Sequence, residues 1–442
     1  MSKPVLLVTA PVATRSGYGA HARDIVRSLI ELDKYDVKVW NVRWGTTPMN
    51  ALNDLEPRDK VIIDRLLQTP QLPNQPDIHI HIVVPNEFSP IAKYNIGITA
   101  GLECTVVPPE WVQGLNKMDM NIVPSTFVSN TLKDISFDIK DEKTQELKGV
   151  LKLDKPMEVL FEGVDNKVYK RTKEFSKELV DEMKSINESF NFLYVGHWLQ
   201  GGLGEDRKDT GMLVKVFLET FKNQKVKPGL ILKTSGAGFS VLDREEILKK
   251  IRDIRNSISG DLPNVYLLHG DLQDEEINEL YNHPKVKAHV NLTHGEGFGR
   301  PLLEASISGK PIIASSWSGQ LDFLNSNSSA LVSGRMTDVP KSALPEKMHV
   351  DGTQWFTADY QEASSYMKDV YKNYKKYTSN SMKLGKVNES LFSLKKMTKE
   401  LGKILDNYVP DFPKEVELKL PKLKKVGQKV KPKIELPKLK RV

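Results

Sequence analysis

The sequence contains a single cysteine, Cys104, among its 442 residues. One thiol excludes an internal disulfide and a cysteine-rich zinc site. A reducing compartment is the simplest environment for such a chain, so we predict a cytoplasmic protein. The N-terminal residues also lack the charged, apolar and small-residue regions of a secretory signal peptide.

Long hydrophobic runs and closely spaced acidic pairs are missing as well. The apolar runs, such as Val5–Val8, are far shorter than the ~20 residues that a membrane-spanning helix needs. The sequence has no Asp-x-Asp pair, so it offers no obvious carboxylates for a metal ion. We therefore expect no membrane span, no metal and no other cofactor.

Excess positive charge is confined to the C-terminal end. Residues 412–442 contain 11 basic and 3 acidic residues, a net charge of +8, whereas the whole chain carries +7. Prolines prevent a continuous helix there, and the sequence L-P-K-L-K occurs at 420–424 and again at 436–440. We predict a disordered, flexible tail that contacts a polyanion, either nucleic acid or an anionic membrane surface. The alternative is a solubilising tail without a partner.

Strand and helix patterns alternate along both halves of the chain. The first half opens with a buried strand at 4–8, a glycine loop at 14–19, a helix at 20–32 and a strand at 37–42. A second alternation runs from Phe192 to Ser315, after a polar helical connector at 170–187. Such repeats predict parallel sheets, so the fold class is α/β.

The most informative stretch reads T-H-G-E-G-F-G-R-P-L-L-E and spans 293–304. A predicted strand leads into a glycine loop, and a helix begins near Pro301. The free N–H groups and the positive end of the dipole at this helix start favour an anion. Glu296 and Glu304 flank this point, and carboxylates accept hydrogen bonds from vicinal hydroxyl groups of a sugar or ribose. The alternative is an ordinary turn with two solvated glutamates.

The spacing of Glu296 and Glu304, with G-F-G-R-P-L-L-E-A and the later G-K-P-I-I-A-S, resembles retaining glycosyltransferase family 4, among the group 1 glycosyl transferases. Segments 123–131, 159–165 and the helix after Phe392 resemble further elements of that family. The resemblance implies the GT-B fold, in which two Rossmann-like domains face each other across a cleft. The implied domains are an acceptor domain at 1–164, completed by a helix at about 386–408, and a donor domain at 165–385.

The resemblance also implies residue roles. Glu296 would contact hydroxyl groups of the donor sugar, Glu304 would bind the nucleotide ribose, and Lys208 would neutralise the diphosphate. As a loop acid, Glu296 is expected to matter little for folding. The remaining implied donor contacts come from backbone N–H groups and glycines, namely those of Gly17, Gly19, Gly297, Phe298 and Gly299.

Some positions depart from the family pattern or leave alternatives open. His197 stands where the family usually has an arginine, and Arg207 is the candidate replacement beside Lys208. On the acceptor side the candidates are Glu103 and His79. His79 and His81 share one strand face, so a metal pair and a structural role both remain open. His294, close to Glu296, is a candidate for support of that carboxylate.

The resemblance implies an enzyme that moves a sugar from a nucleotide-diphosphate sugar to an acceptor with retention and without a metal. The acceptor stays open between a glycan, a lipid and a modified DNA base. The alternative is a non-catalytic binding protein of the same fold, tethered by its tail. A nicotinamide-dependent oxidoreductase is disfavoured, because neither 16–19 nor 236–238 completes G-x-G-x-x-G with a downstream acid.

Truncation after Asp411 tests the tail. We expect the fold and donor binding to persist, while affinity for DNA or anionic vesicles falls, most clearly at about 50 mM salt, because such contacts weaken steeply with ionic strength. Vesicle sedimentation and DNA electrophoretic shifts of the two proteins measure this. Equal binding by the truncated chain would exclude the tail as the polyanion contact.

Overall fold

Parallel strands and their crossover helices form most of the structure. The structure is a computed structural model, and it describes residues 3–141, 143–236, 238–343, 348 and 350–412. The tail predicted at 412–442 therefore lies outside the described residues, apart from Phe412. The described strands are β1 (Val5–Ala10), β2 (Asp36–Asn41), β3 (Ile78–Ile82), β4 (Tyr94–Ile98), β5 (Met120–Val123), β6 (Ser136–Lys140), β7 (Leu147–Lys152), β8 (Met157–Val159), β9 (Asn191–Val195), β10 (Gly229–Lys233), β11 (Val265–Leu268), β12 (Val286–Asn291), β13 (Ile312–Ser315), β14 (Ala330–Val332), β15 (Gly334–Asp338) and β16 (Gln354–Ala358).

The helices connect these strands and cover the sheets. They are α1 (Gly17–Leu32), α2 (Pro57–Ile63), α3 (Pro109–Lys117), α4 (Thr126–Asp134), α5 (Lys177–Lys184), α6 (Thr210–Phe221), α7 (Val241–Asn256), α8 (Asp274–Asn282), α9 (Arg300–Ile307), α10 (Tyr360–Lys372), α11 (Tyr374–Leu391) and α12 (Leu394–Tyr408), besides short 3₁₀ helices at Pro85–Glu87 and Gly319–Asp322. No helix of the described residues is long and apolar enough to cross a membrane.

The first sheet has six parallel strands in the order β2-β1-β3-β4-β5-β8. Strands β1, β3 and β5 are buried almost along their whole length, as is usual in parallel sheets that helices cover on both faces. The chain leaves β1 toward β2 and then returns to β3 on the other side. The loops after β1 and β3 therefore flank a topological switch point, where ligands bind in open α/β sheets.

The second sheet repeats this plan, with the order β11-β10-β9-β12-β13-β14. Its switch point lies between β9 and β12, which pair in parallel. The loop after β9 carries Lys208, and the loop after β12 carries Glu296. The two Rossmann-like domains expected from the alternation are thus present, and topology alone brings these two residues to one crevice.

The last helix returns to the first sheet. Val164 exchanges backbone hydrogen bonds with the Phe392 and Leu394 backbone, each 2.8 Å long. Helix α12 then packs on α1, where the hydroxyl groups of Ser28 and Thr398 lie 2.8 Å apart. These contacts tie the C-terminal helix to the first half of the chain, whereas the division at residues 164 and 385 stays a prediction.

Several local predictions need correction. Helix α1 begins at Gly17, so Gly17 and Gly19 lie in its first turn and not in a loop, because Ser16 caps the helix by accepting from the Gly19 N–H. The connector predicted at 170–187 is helical only over Lys177–Lys184. The residues after 135 form an exposed antiparallel hairpin of β6 and β7.

Gly163, at the joint between α12 and the segment entering the second half, provides a test of this packing. An added Cβ there would lie 2.6 Å from the Leu394 Cα, whereas at Gly149 in β7 it would meet nothing within 4 Å. We expect Gly163→Ala to destabilise the protein by about 1–3 kcal/mol, the scale of overpacking. Gly149→Ala is the matched control. Equal thermal unfolding midpoints for both variants would contradict the tight joint.

Candidate active site

Arg207 in the loop after β9 is hydrogen-bonded to three consecutive residues, 293–295, in the loop after β12. The backbone N–H of His294 donates to the Arg207 carbonyl at 2.9 Å, and the Thr293 hydroxyl donates to the same carbonyl at 3.1 Å. In the other direction, the Arg207 guanidinium donates to the Gly295 carbonyl at 2.9 Å. The side chains that follow on both loops are therefore held in fixed register.

Lys208 and Glu296 form a buried ion pair within this pairing. The Lys208 Nζ lies 2.5 Å from one Glu296 carboxylate oxygen and 2.6 Å from the other. Lys208 is 9 % exposed and Glu296 6 %. Burial alone would raise the pKa of Glu296, but Lys208 and Arg207 outweigh it, so that pKa is lowered and the carboxylate is ionised. Glu296 is therefore a buried, paired carboxylate and not a solvated loop acid, and we now expect its loss to affect stability as well as transfer.

Arg207 extends the ion pair to the first half of the chain. Its Nη1 lies 2.9 Å from the Glu103 carboxylate and 3.7 Å from that of Glu296. Burial would lower the pKa of Arg207, yet the two carboxylates raise it. Glu103, Arg207, Glu296 and Lys208 thus form a chain of alternating charges, which we name the ion cluster. It places Glu103, an acceptor-side candidate, beside the donor-side candidates.

The start of α9 presents the predicted anion site. Among the described residues, the backbone N–H groups of Gly297, Phe298 and Gly299 have no hydrogen-bond acceptor. Gly299 has a left-handed φ of 93°, which turns the chain into the helix and which favours glycine. The Phe298 side chain packs in the core near Phe323 and Phe392, so only its backbone can face a ligand.

Two glycines of this loop contact the first domain directly. An added Cβ at Gly297 would lie 2.3 Å from the Ala100 carbonyl, and one at Gly295 would lie 2.6 Å from the Glu103 carbonyl. The Ser125 hydroxyl also donates to the Gly297 carbonyl at 2.6 Å. We expected the missing side chain of Gly297 to leave room for a ligand, but the backbone of the first domain occupies that space. Gly295 was not singled out in the sequence.

Glu304 lies on α9 with its own cation. The Arg300 Nε donates to one Glu304 oxygen at 2.8 Å, and the Arg300 Nη1 donates to Asp24 of α1 at 2.6 Å. Burial raises the pKa of Glu304 to about 7, although Arg300 opposes the shift. The carboxylate predicted to hold a ribose is therefore oriented by an arginine that also contacts the first domain.

Asp209 follows Lys208 directly in the chain, and His294 precedes Glu296 by two residues. Asp209 has a left-handed φ of 51° and is fully buried, and its carboxylate accepts from the Tyr360 hydroxyl at 2.8 Å. Its other oxygen lies 3.8 Å from the His294 Nε2. This backbone conformation positions Lys208 at the start of α6. Sequence reasoning missed Asp209, since only its place before Thr210 suggested a helix start.

His197 lies close to the ion cluster but has a different set of contacts. Its Nδ1 is 3.1 Å from the Gly236 carbonyl, and burial and then Lys208 lower its pKa. Arg207 instead contacts Glu296 directly. The geometry therefore favours Arg207 for the position at which the family pattern has an arginine.

The first-half candidates other than Glu103 fit less well. Gly19 is required for packing, because an added Cβ would lie 2.3 Å from the Thr14 carbonyl, whereas Gly17 is exposed with nothing within 4 Å. His79 is 1 % exposed and bonded to the Thr9 hydroxyl at 2.9 Å, so no acceptor reaches it in this conformation. Burial lowers the pKa of His79 to about 3 and that of His81 to about 4.

His79 and His81 do not belong to a larger ligand set. Their rings lie 5.1 Å apart on β3. In the part of the chain that the structure describes, no group of three or more histidine, cysteine or acidic side chains could hold a metal ion. A structural role in the first sheet fits both histidines better than a metal pair.

Residues 249–343 match the family model of glycosyl transferases group 1. The match includes Glu296, Glu304 and the start of α9. The chain resembles the group 1 glycosyl transferases. Lys208, Arg207 and Glu103 lie outside the matched residues, so the family match does not bear on them. No curated protein sequence matches the chain.

Solved structures extend the similarity to the whole fold. The Anabaena protein HepE in complex with UDP-glucose has a TM-score of 0.59 at 13% identity, covering 91% of this chain and 100% of its own. A glycosyltransferase from Rickettsia africae has a TM-score of 0.59 at 13% identity, covering 93% and 100%. Sucrose-phosphate synthase from Thermosynechococcus elongatus has 0.58 at 14%, covering 92% and 98%. The predicted GT-B fold is confirmed.

The buried pair of Lys208 and Glu296 predicts strong energetic coupling. Glu296→Gln should destabilise the protein by up to about 3–5 kcal/mol, because it leaves a buried ammonium without a counterion. The double variant with Lys208→Met should recover part of that loss. Urea denaturation of the four proteins gives the coupling energy.

The exposed pair of Asp181 and Lys184, 2.6 Å apart, is the matched control. Asp181→Asn should change stability by less than about 1 kcal/mol, as surface pairs do. If the effects of Glu296→Gln and Lys208→Met on the free energy of unfolding are additive, the two side chains do not interact energetically and the ion pair is contradicted.

Proposed function

We propose that the protein transfers a sugar from a nucleotide-diphosphate sugar to an acceptor, as a member of the retaining family 4. The observation that carries this proposal is the ion cluster at the second switch point, beside the free N–H groups of the α9 start. Two cations and a helix N-terminus suit a diphosphate. The carboxylates of Glu296 and Glu304 suit the hydroxyl groups on either side of it.

Donor binding would exchange ion-pair partners. The diphosphate would take Lys208 and Arg207 from the carboxylates of Glu296 and Glu103. Glu296 would then accept hydrogen bonds from the donor sugar, and Glu103 would be free to orient an acceptor hydroxyl. The cations need little further desolvation in this exchange, because Lys208 is already buried and Arg207 mostly buried at the point where negative charge develops on the leaving group.

The reaction proceeds on one face of the sugar. The bond from the anomeric carbon to the diphosphate oxygen breaks, and the acceptor oxygen bonds to that carbon from the same side. The acceptor proton passes to the departing diphosphate, so no protein nucleophile is required. Packing of Ala100 and Ser125 on the glycine loop excludes water, which would otherwise hydrolyse the donor.

The acceptor remains one of the three classes named above, and a polyanion contact through residues 412–442 remains a proposal. Glu103 stays our first-domain candidate for contact with an acceptor, a choice supported by its ion pair with Arg207 of the ion cluster.

A donor screen tests the proposal. Nucleotide-diphosphate sugars, beginning with UDP-glucose, are ranked by thermal stabilisation of the full chain, and release of the nucleoside diphosphate is then followed with glycan, lipid and DNA acceptors. We expect one donor to bind and be consumed, and Glu296→Gln to lower turnover by at least about 100-fold. A donor that binds but is not consumed with any of the acceptors would favour the non-catalytic alternative. If no nucleotide-diphosphate sugar binds, the proposal is refuted.

Lys208 should hold the diphosphate specifically. We expect Lys208→Met to weaken binding of the nucleoside diphosphate by at least about 10-fold, the cost of roughly 1.4 kcal/mol in a charge-assisted contact. Titration calorimetry with the nucleoside diphosphate and with the nucleoside alone measures this. An unchanged nucleoside diphosphate affinity would move the phosphate site elsewhere.

Catalysis without a metal is a further expectation of this arrangement, because Lys208 and Arg207 already supply two positive charges. Turnover should survive treatment with EDTA within about twofold, since no metal would share the leaving-group charge. Initial rates with and without EDTA, followed by added Mg²⁺ or Mn²⁺, provide the measurement. Loss of activity with rescue by either ion would reveal a metal requirement.

A further inference from the structure

Arg23 on α1 is a buried guanidinium without a close counterion. It is 8 % exposed, and its Nη1 donates to the carbonyls of Val12 and Thr14, both at 2.9 Å. Among the described residues, no carboxylate oxygen lies within 4.0 Å of it, and its other nitrogens donate no hydrogen bond. Burial lowers the pKa of Arg23 to about 10, so it remains charged at neutral pH. Asp274 and then Asp24 oppose this shift, but neither lies at ion-pair distance, so the guanidinium has capacity for a closer anion.

Arg23 borders a polar cavity of about 140 Å³ between the two domains. Two further arginines from separate segments of the first domain line it, Arg15 after β1 and Arg58 on α2. The Arg15 Nε is buried without a hydrogen-bond acceptor, although Asp271 lies 3.1 Å away. A cavity of this size holds several water molecules or one phosphate group.

The carboxylates around this cavity are largely matched by arginines. Asp274 and Glu275 pair with Arg58, while Asp59 pairs with Arg27 at 2.6 Å. Burial would raise the pKa of Asp274, but Arg58, then Arg300 and, more weakly, Arg23 keep it lowered. Glu56 is exposed at the start of α2. Of the three arginines that line the cavity, Arg15 and Arg58 each have a carboxylate at ion-pair distance, whereas Arg23 has none among the described residues.

We propose that the cavity lined by Arg15, Arg23 and Arg58 binds a phosphate group, carried by a small phosphomonoester or present as free phosphate. Guanidinium groups match phosphate oxygens with paired N–H donors. Asn53 and Gln273 in the lining offer amide groups to further phosphate oxygens or to the hydroxyls of an attached sugar. The site is separate from the ion cluster, none of whose residues lines the cavity. Its binding does not depend on the proposed function.

Titration calorimetry at constant ionic strength tests the site with the full chain. The probes are inorganic phosphate, glucose 6-phosphate and glucose. We expect both phosphates to bind and glucose not to bind, and tighter binding of glucose 6-phosphate would identify a phosphomonoester as the occupant. Arg58→Gln and Arg23→Lys should each weaken phosphate binding by at least about 10-fold. If Arg23→Lys unfolds through loss of its loop contacts, Arg58→Gln decides.

Two control variants separate this site from its alternatives. Arg65→Gln removes a nearby arginine that is not in the lining and should leave phosphate binding unchanged. Lys208→Met should also leave it unchanged, whereas abolition by that variant would assign the phosphate to the ion cluster. Absence of phosphate binding, equal binding of glucose, or full affinity in Arg58→Gln would each overturn the proposal.

Discussion

The buried pair of Lys208 and Glu296 is the interaction around which the site is organised. Two buried charges are tolerated only because each satisfies the other and because Arg207 and Glu103 extend the alternation. The pair also bonds the loops after β9 and β12 at the point where the strand order reverses. Fold topology and charge chemistry therefore select the same crevice.

Arginine–carboxylate pairs also connect the two domains. Each pair takes one partner from each domain, so separation of the domains would break all of them; they are Arg15 with Asp271, Arg58 with Asp274, Arg207 with Glu103, and Arg300 with Asp24. Two of the arginines lie in the first domain and two in the second. A charged ligand can compete for either partner of such a pair. This suits a cleft that admits anionic substrates.

The sequence predicted the parts of the fold that local patterns determine. The alternating strands and helices and the glycine loop before α9 follow from apolar runs and helix-start residues. The pairing of Lys208 with Glu296 could not be predicted, because it joins residues 88 positions apart through sheet order. Asp209 was equally hidden, since its hydrogen-bond donor Tyr360 lies 151 positions away in the sequence. The burial of His79 depended on which helices cover the first sheet.

Proton NMR of the donor during turnover tests the central claim most directly. A nucleotide-diphosphate sugar of known anomeric configuration is incubated with the full chain and an acceptor, and the anomeric protons are followed from the start of the reaction. The account predicts that the donor signal disappears and that the first product carries the same configuration. A product of inverted configuration would contradict transfer on one face. A donor signal that persists for every nucleotide sugar would contradict the assignment of the cleft to sugar transfer.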